Sequence, residues 1–129
     1  MEQIEPERRP ARFSKDRRLL RKADFTRVFD RAHRVQGRYV TILLAPSDSA
    51  LPRLGIVASR KLGDAVRRNR AKRLIREIFR QTPPLPGRRG VDVVVIPRRE
   101  LFDAAYSSLE SDFHATYRRC ARLPGHARQ

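Results

Sequence analysis

The sequence predicts a single α+β domain, a sheet packed against helices in the order α-β-β-α-β-α, flanked by two short tails. Three observations carry this. A chain of 129 residues is of one-domain length. Its apolar residues switch between a helical period of 3.6 and strand-like β-branched runs. No stretch approaches the ~20 apolar residues that a membrane span needs. Residues 1–16 carry Pro6, Pro10 and mixed charge with no apolar period and read as a flexible arm. Residues 17–122 form the domain, and residues 123–129 a flexible basic tail. The polar start has no secretory apolar region, so a cytoplasmic location is expected.

The first helix is set by Phe25, Val28, Phe29 and Ala32, spaced i, i+3, i+4 and i+7 on one face, with Asp24 as its cap. Gly37 breaks the pattern. Arg38 to Ala45 is rich in β-branched and apolar residues and reads as a strand. Pro46 to Pro52 has turn composition, and Arg53 to Arg60 reads as a second strand, expected to form a hairpin with the first. Asp64 is placed to cap a helix running to Arg80. At ~100° per residue, Ala71, Leu74, Ile75, Ile78 and Phe79 gather on one arc that faces a core. Pro83 to Gly90 is a loop. The near-continuous apolar run Val91 to Ile96, stopped by Pro97, suits a strand inside the sheet. Tyr106, Leu109, Phe113 and Cys120 keep helical spacing in a closing helix that ends near Ala121. No internal repeat is present.

The chemistry of the chain is first one of exclusion. Lys and Arg number 30 against 14 Asp and Glu, a net charge of +16, and this favours a polyanionic partner, nucleic acid before membrane surface. A hydrophobic fraction of 40% in periodic runs excludes a wholly disordered basic protein. The single Cys120 forms no internal disulfide, and with the scattered His33, His114 and His126 it builds no zinc site. Carboxylates lie mostly in the arm or on helix surfaces, serines lack a His/Asp pattern, and neither a phosphate loop nor a nucleophile elbow appears. No catalytic residue and no metal ligand is assigned.

What remains is the helix after Asp64. Opposite its apolar arc stand Asn69, Arg70, Lys72, Arg73, Arg76 and Arg80, interrupted by Glu77 alone, while Arg67 and Arg68 occupy the first turn with room to reach outward. Solvated helix faces mix signs, whereas this one lacks acidic i,i+4 partners and suits phosphate contact. Asn69 has the chemistry to bond a base edge, a ribose 2′-OH or a hydrated cation, or to cap the helix start. No helix-turn-helix spacing precedes it.

Arg68-Asn69-Arg70-Ala71-Lys72-Arg73-Leu74-Ile75-Arg76-Glu77 resembles the Arg-Asn-Arg signature of the bacterial ribonuclease P protein family. Arg21 to Phe29 is similar to that family's opening helix with its paired Phe, and Leu54 to Val66 to its central strand and the loop into the basic helix. The similarity runs from about Arg17 to Arg122. It implies a small accessory protein bound to a large catalytic RNA, the two cleaving 5′ leaders from precursor tRNA. The RNA carries the active site and holds most of the Mg²⁺, and no obligate protein partner is implied. By the same resemblance Arg67, Arg68, Asn69, Arg70, Lys72, Arg73 and Arg76 contact the catalytic RNA. Phe25, Phe29, Ser59, Arg60 and Lys61 line a cleft for the single-stranded leader, a combination of aromatic platform and positive charge suited to single strands. Phe25 and Phe29 also suit a core. Ile42 stands where some relatives present an aromatic toward that cleft. The resemblance further implies a left-handed crossover from Leu54 to Ile96, against the general right-handed rule. A ribosomal or general structured-RNA-binding protein is the alternative that the same charge and size allow.

Overall fold

The computed structural model describes residues 17–19, 21–47, 51–83 and 90–122. The expected arm and tail lie outside the described residues, as do residues 48–50 and 84–89 of the two expected loops. Three helices, α1 (Lys22–Arg31), α2 (Ala65–Arg80) and α3 (Tyr106–Ala121), accompany four strands, β1 (His33–Gln36), β2 (Val40–Ser47), β3 (Arg53–Ile56) and β4 (Gly90–Pro97). Short 3-10 turns span Arg60–Leu62 and Arg99–Asp103.

The strand order is β1-β2-β4-β3. This corrects the expected hairpin between the strands after Gly37 and after Pro52, because β4 lies between them. It pairs antiparallel with β2, Ile42 opposite Val95 and Leu44 opposite Val93, and parallel with β3, Leu54 opposite Val93. The reason is burial. Val91 to Val95 is fully enclosed and apolar except for Asp92, so it takes an inner place beside the equally buried β2, and the short strands β1 and β3 form the edges. The hairpin that does form joins β2 to β1, a strand missing from the sequence expectation, with Val35 opposite Ile42. Its turn is held by Asp112 of α3, whose carboxylate accepts from the backbone N–H of Arg38 at 2.9 Å and Tyr39 at 2.7 Å.

Alternation along the strands divides the core. Val40, Ile42, Leu44, Leu54, Val91, Val93 and Val95 face Ala71, Ile75, Ile78 and Phe79 of α2 and Leu109, Phe113, Tyr117 and Cys120 of α3. Phe79, Phe113 and Tyr117 meet ring to ring, with centroids 6.2 Å and 6.0 Å apart. On the opposite face Leu43, Ala45 and Val94 meet Leu19 and Val28 of the α1 region. Ile42 is therefore enclosed on the α2/α3 face and cannot form a cleft wall beside α1; period 2 gives that role to Leu43. Asp24 is not the cap of α1 either. The helix starts earlier, at Lys22, and Asp24 sits in its first turn, where the N-terminal dipole favours a carboxylate.

Candidate nucleic-acid interface

The basic helix begins as its sequence dictates. Gly63 takes φ 139°, a conformation open to glycine and strained for other residues. The next residue, Asp64, caps α2 by accepting from the Arg67 N–H at 3.0 Å. From there Ala71, Ile75, Ile78 and Phe79 turn inward, and the positions between them are left to solvent.

The seven basic side chains of α2 are not equivalent. Asn69, Arg70 and Arg73 are exposed and form the outward ridge. Arg67, expected to reach outward, is exposed and Arg68 is half-buried, and each also makes a local contact. The Arg67 guanidinium lies 4.9 Å from the centroid of the Phe102 ring, and Arg68 Nη1 donates to the Gly63 carbonyl at 2.9 Å. Arg80 is paired with Glu77 at 2.8 Å, so Glu77 neutralises the C-terminal end of the face and leaves the first three turns basic. Lys72 and Arg76 are half-buried on the flank. Burial, and then the neighbouring charge of Arg18, lower the Arg76 guanidinium from its ordinary value.

Arg18 itself was not singled out by the sequence. Its backbone forms a parallel bridge with Leu54 at the edge of β3, and its Nε is buried with no hydrogen-bond partner. Two guanidiniums thus approach each other where α2 meets the start of the domain. Only the fold reveals this, because the two residues are far apart in sequence and Arg18 belongs to an unremarkable basic run.

The second surface lies on the α1 face of the sheet. Phe25 is half-buried against the backbone of β3: a Cβ on Gly55 would stand 2.6 Å from its Cε1, so the absent side chain at residue 55 is what admits the ring. Phe29, one turn later, remains 44% exposed, more than a core role allows. Val57 and Ile96 complete a partly buried apolar floor beside them. Ser59, Arg60 and Lys61 follow Val57 and are all exposed, the last two within the 3-10 turn that leads into α2. The expected cleft residues therefore divide into an aromatic pair on α1 and a basic connector at the C-terminal end of β3. That connector is also where the two surfaces come closest along the chain.

Among the described residues no group of three or more His, Cys, Asp or Glu could hold a metal ion. No described helix is long and apolar enough to cross a membrane. Cys120 is buried, its Sγ 3.3 Å from the His33 carbonyl oxygen, in keeping with a packing role.

The chain is similar to known proteins in sequence and in fold. The Ribonuclease P family model matches residues 13–121. A ribonuclease P protein component from Thermotoga petrophila is 40% identical over 89 residues, 69% of this chain and 75% of the relative. One from Pseudomonas aeruginosa is 38% identical over 112 residues, 85% of this chain and 82% of the relative. Among solved structures, the RNase P protein from Thermotoga maritima superposes with a TM-score of 0.68 at 33% identity, covering 84% of this chain and 98% of that one. The Staphylococcus aureus RNase P protein does so at 0.71 and 29% identity, covering 84% and 98%.

Proposed function

The chain belongs to the ribonuclease P protein family, and from that premise we propose that it works by holding two RNAs on two surfaces. The α2 ridge of Asn69, Arg70 and Arg73, flanked by Lys72 and Arg76, binds the catalytic RNA. The α1 groove of Phe25 and Phe29, with Ser59, Arg60 and Lys61 at its end, binds the 5′ leader of precursor tRNA. The observation that carries this reading is the exposure of Phe29 on a face opposite the basic helix. Structured RNA is held through its phosphates and suits an arginine ridge, whereas an unpaired strand exposes bases that stack on aromatic rings. One small domain offers both chemistries, each on its own face.

In this reading the protein contributes binding rather than bond breaking. Arg70 and Arg73 neutralise phosphates where RNA strands crowd together, which lowers the cation concentration needed for assembly. Mg²⁺ is the cofactor of the holoenzyme and is supplied with ligands mainly by RNA. The groove adds affinity only for substrates that carry a leader, so it favours precursor over mature tRNA. A cytoplasmic location goes with this role.

Reconstitution tests it. Purified protein is combined with the host's catalytic RNA, and precursor tRNA cleavage is followed at low, near-physiological Mg²⁺ with and without protein. Cleavage only when both are present supports the reading. No stimulation, with stable incorporation into ribosomal subunits instead, would transfer the assignment to a structural ribosomal protein.

A further inference from the structure

A protein with net charge +16 keeps one charged residue fully enclosed among those described: Asp92, near the N-terminal end of β4. Both of its carboxylate oxygens accept from arginine. Oδ1 accepts from Arg53 Nε and Oδ2 from Arg53 Nη2, each at 2.9 Å, a two-pronged pair. Oδ2 also accepts from Arg27 Nη2 on α1. Asp24, one turn back on α1, stands 3.8 Å from Nη2 of both arginines. Two acids and two bases thus alternate across the junction between α1, β3 and β4.

This cluster adds to what apolar packing supplies. Val28 is the one fully buried residue of α1, and Phe25 and Ala32 add partly buried contacts, so apolar packing grips the helix through three side chains. Arg27 lies between Phe25 and Phe29 in sequence and points to the sheet, where Asp92 holds it. The place of Arg27 therefore sets the place of both rings. The cluster occupies the N-terminal end of β4; the floor residues Ile96 and Val57 lie toward the other end. Alpha-helix α1 is pinned at one end of the face and leaves the groove available at the other.

We propose that Asp92 is a positioning residue for leader recognition: through Arg27 and Arg53 it fixes α1 so that Phe25 and Phe29 stand at the correct separation from the Val57–Ile96 floor. The proposal rests on the reading of this groove as the leader site. Asp92 itself touches no RNA. Its loss leaves two half-buried guanidiniums beside each other with only the more distant Asp24 to offset them, and α1 turns or lifts to separate them.

The test uses the reconstituted holoenzyme and three measured affinities: protein for catalytic RNA, holoenzyme for leader-bearing precursor, and holoenzyme for mature tRNA. Asp92→Asn keeps the shape and removes the charge. It is expected to lower the preference for precursor over mature tRNA by about tenfold, as when a group that orients a binding residue is lost. Affinity for catalytic RNA stays unchanged, and Asp92→Glu restores part of the preference. Arg27→Met, which leaves the Arg53–Asp92 pair intact, is expected to act in the same direction and carries the test if Asp92→Asn does not fold. Phe29→Ala is the control for the groove. If it leaves the preference intact, the leader reading falls and the proposal with it. If Phe29→Ala abolishes the preference while folded Asp92→Asn and Arg27→Met retain it, only the positioning role is overturned. Equal losses for precursor and mature tRNA would also overturn it, since they would mark a general structural effect.

Discussion

The two faces of the sheet are built from the same four strands and are held by different forces. The face under α2 and α3 encloses a continuous apolar cluster from Val35 to Cys120 with three interlocking rings. The face under α1 has a small core of Leu19, Val28, Leu43, Ala45 and Val94 and adds the ionic cluster around Asp92. The difference teaches where rigidity is placed. The basic ridge rides on a helix whose inner side is locked by close packing, so its arginines are presented at fixed spacing. For the proposed leader site, the aromatic rings must remain partly uncovered, and burying them for stability would remove the surface itself. A directional, hydrogen-bonded anchor fixes α1 without covering Phe29.

The contrast can be broken in order of expected effect. Phe113→Ala opens a cavity in the thick core and is expected to cost about 3–5 kcal/mol of stability, measured by denaturant unfolding. A loss no larger than that of Val28→Ala would erase the distinction between the faces. Gly55→Ala places a methyl group within 2.6 Å of the Phe25 ring and 3.0 Å of Leu19 Cβ, with an expected cost of about 1–3 kcal/mol from overpacking. Unlike Phe113→Ala, it should lower leader preference in variants that remain folded. Arg70→Ala and Arg73→Ala sharpen the comparison from the other side. Each is expected to reduce the salt dependence of catalytic-RNA binding by about one unit of the log–log slope, with unfolding unchanged. Asp64→Ala removes the cap of α2 and should cost about 1 kcal/mol, read as a lower unfolding midpoint.

The smallest effect concerns pH. Burial first, then the Glu110 and Glu77 carboxylates, raise the Tyr106 hydroxyl above its ordinary value of 10.0. The unfolded chain releases this proton before the folded one does. The contribution is therefore present in full below pH 10.0 and is lost as pH rises through the higher folded value. Tyr106→Phe should flatten that alkaline limb in a thermal-unfolding series.

Much of this architecture was legible in the residues because periodicity reports burial. The inner face of α2, the Asp64 cap, the interior place of β4 and the spacing of α3 all follow from side chains that choose between core and water. Pairing was less legible. The strand β1 is only His33–Gln36, with a single buried residue, Val35, and its partner is chosen by the Asp112-held turn, an interaction 74 residues distant in sequence. The expected hairpin failed because adjacency along the chain competes with the demand of the most apolar strand for the centre. In the candidate site, α2 was read from its own spacing, but the engagement of Arg68 by the Gly63 carbonyl depends on loop conformation. Asp92 was hidden for a related reason. One acid inside a run of valines carries no sign that Arg27 and Arg53 converge on it from two other elements.

The bridge between Arg18 and Leu54 closes a further matter. With order β1-β2-β4-β3, β3 is a terminal strand, and its outer backbone groups would otherwise be free to template pairing with another chain. Leu19 N–H donates to the Leu54 carbonyl at 2.8 Å, so the segment that precedes α1 occupies that side, while positive charge at Arg17 and Arg18 repels a second copy. At the far side β1 is short and carries exposed Arg34. A chain that must stay dispersed until it meets its RNA is thereby protected from self-association at both ends of its sheet, and trimming it to begin at Arg21 should make it prone to aggregate even where the fold survives.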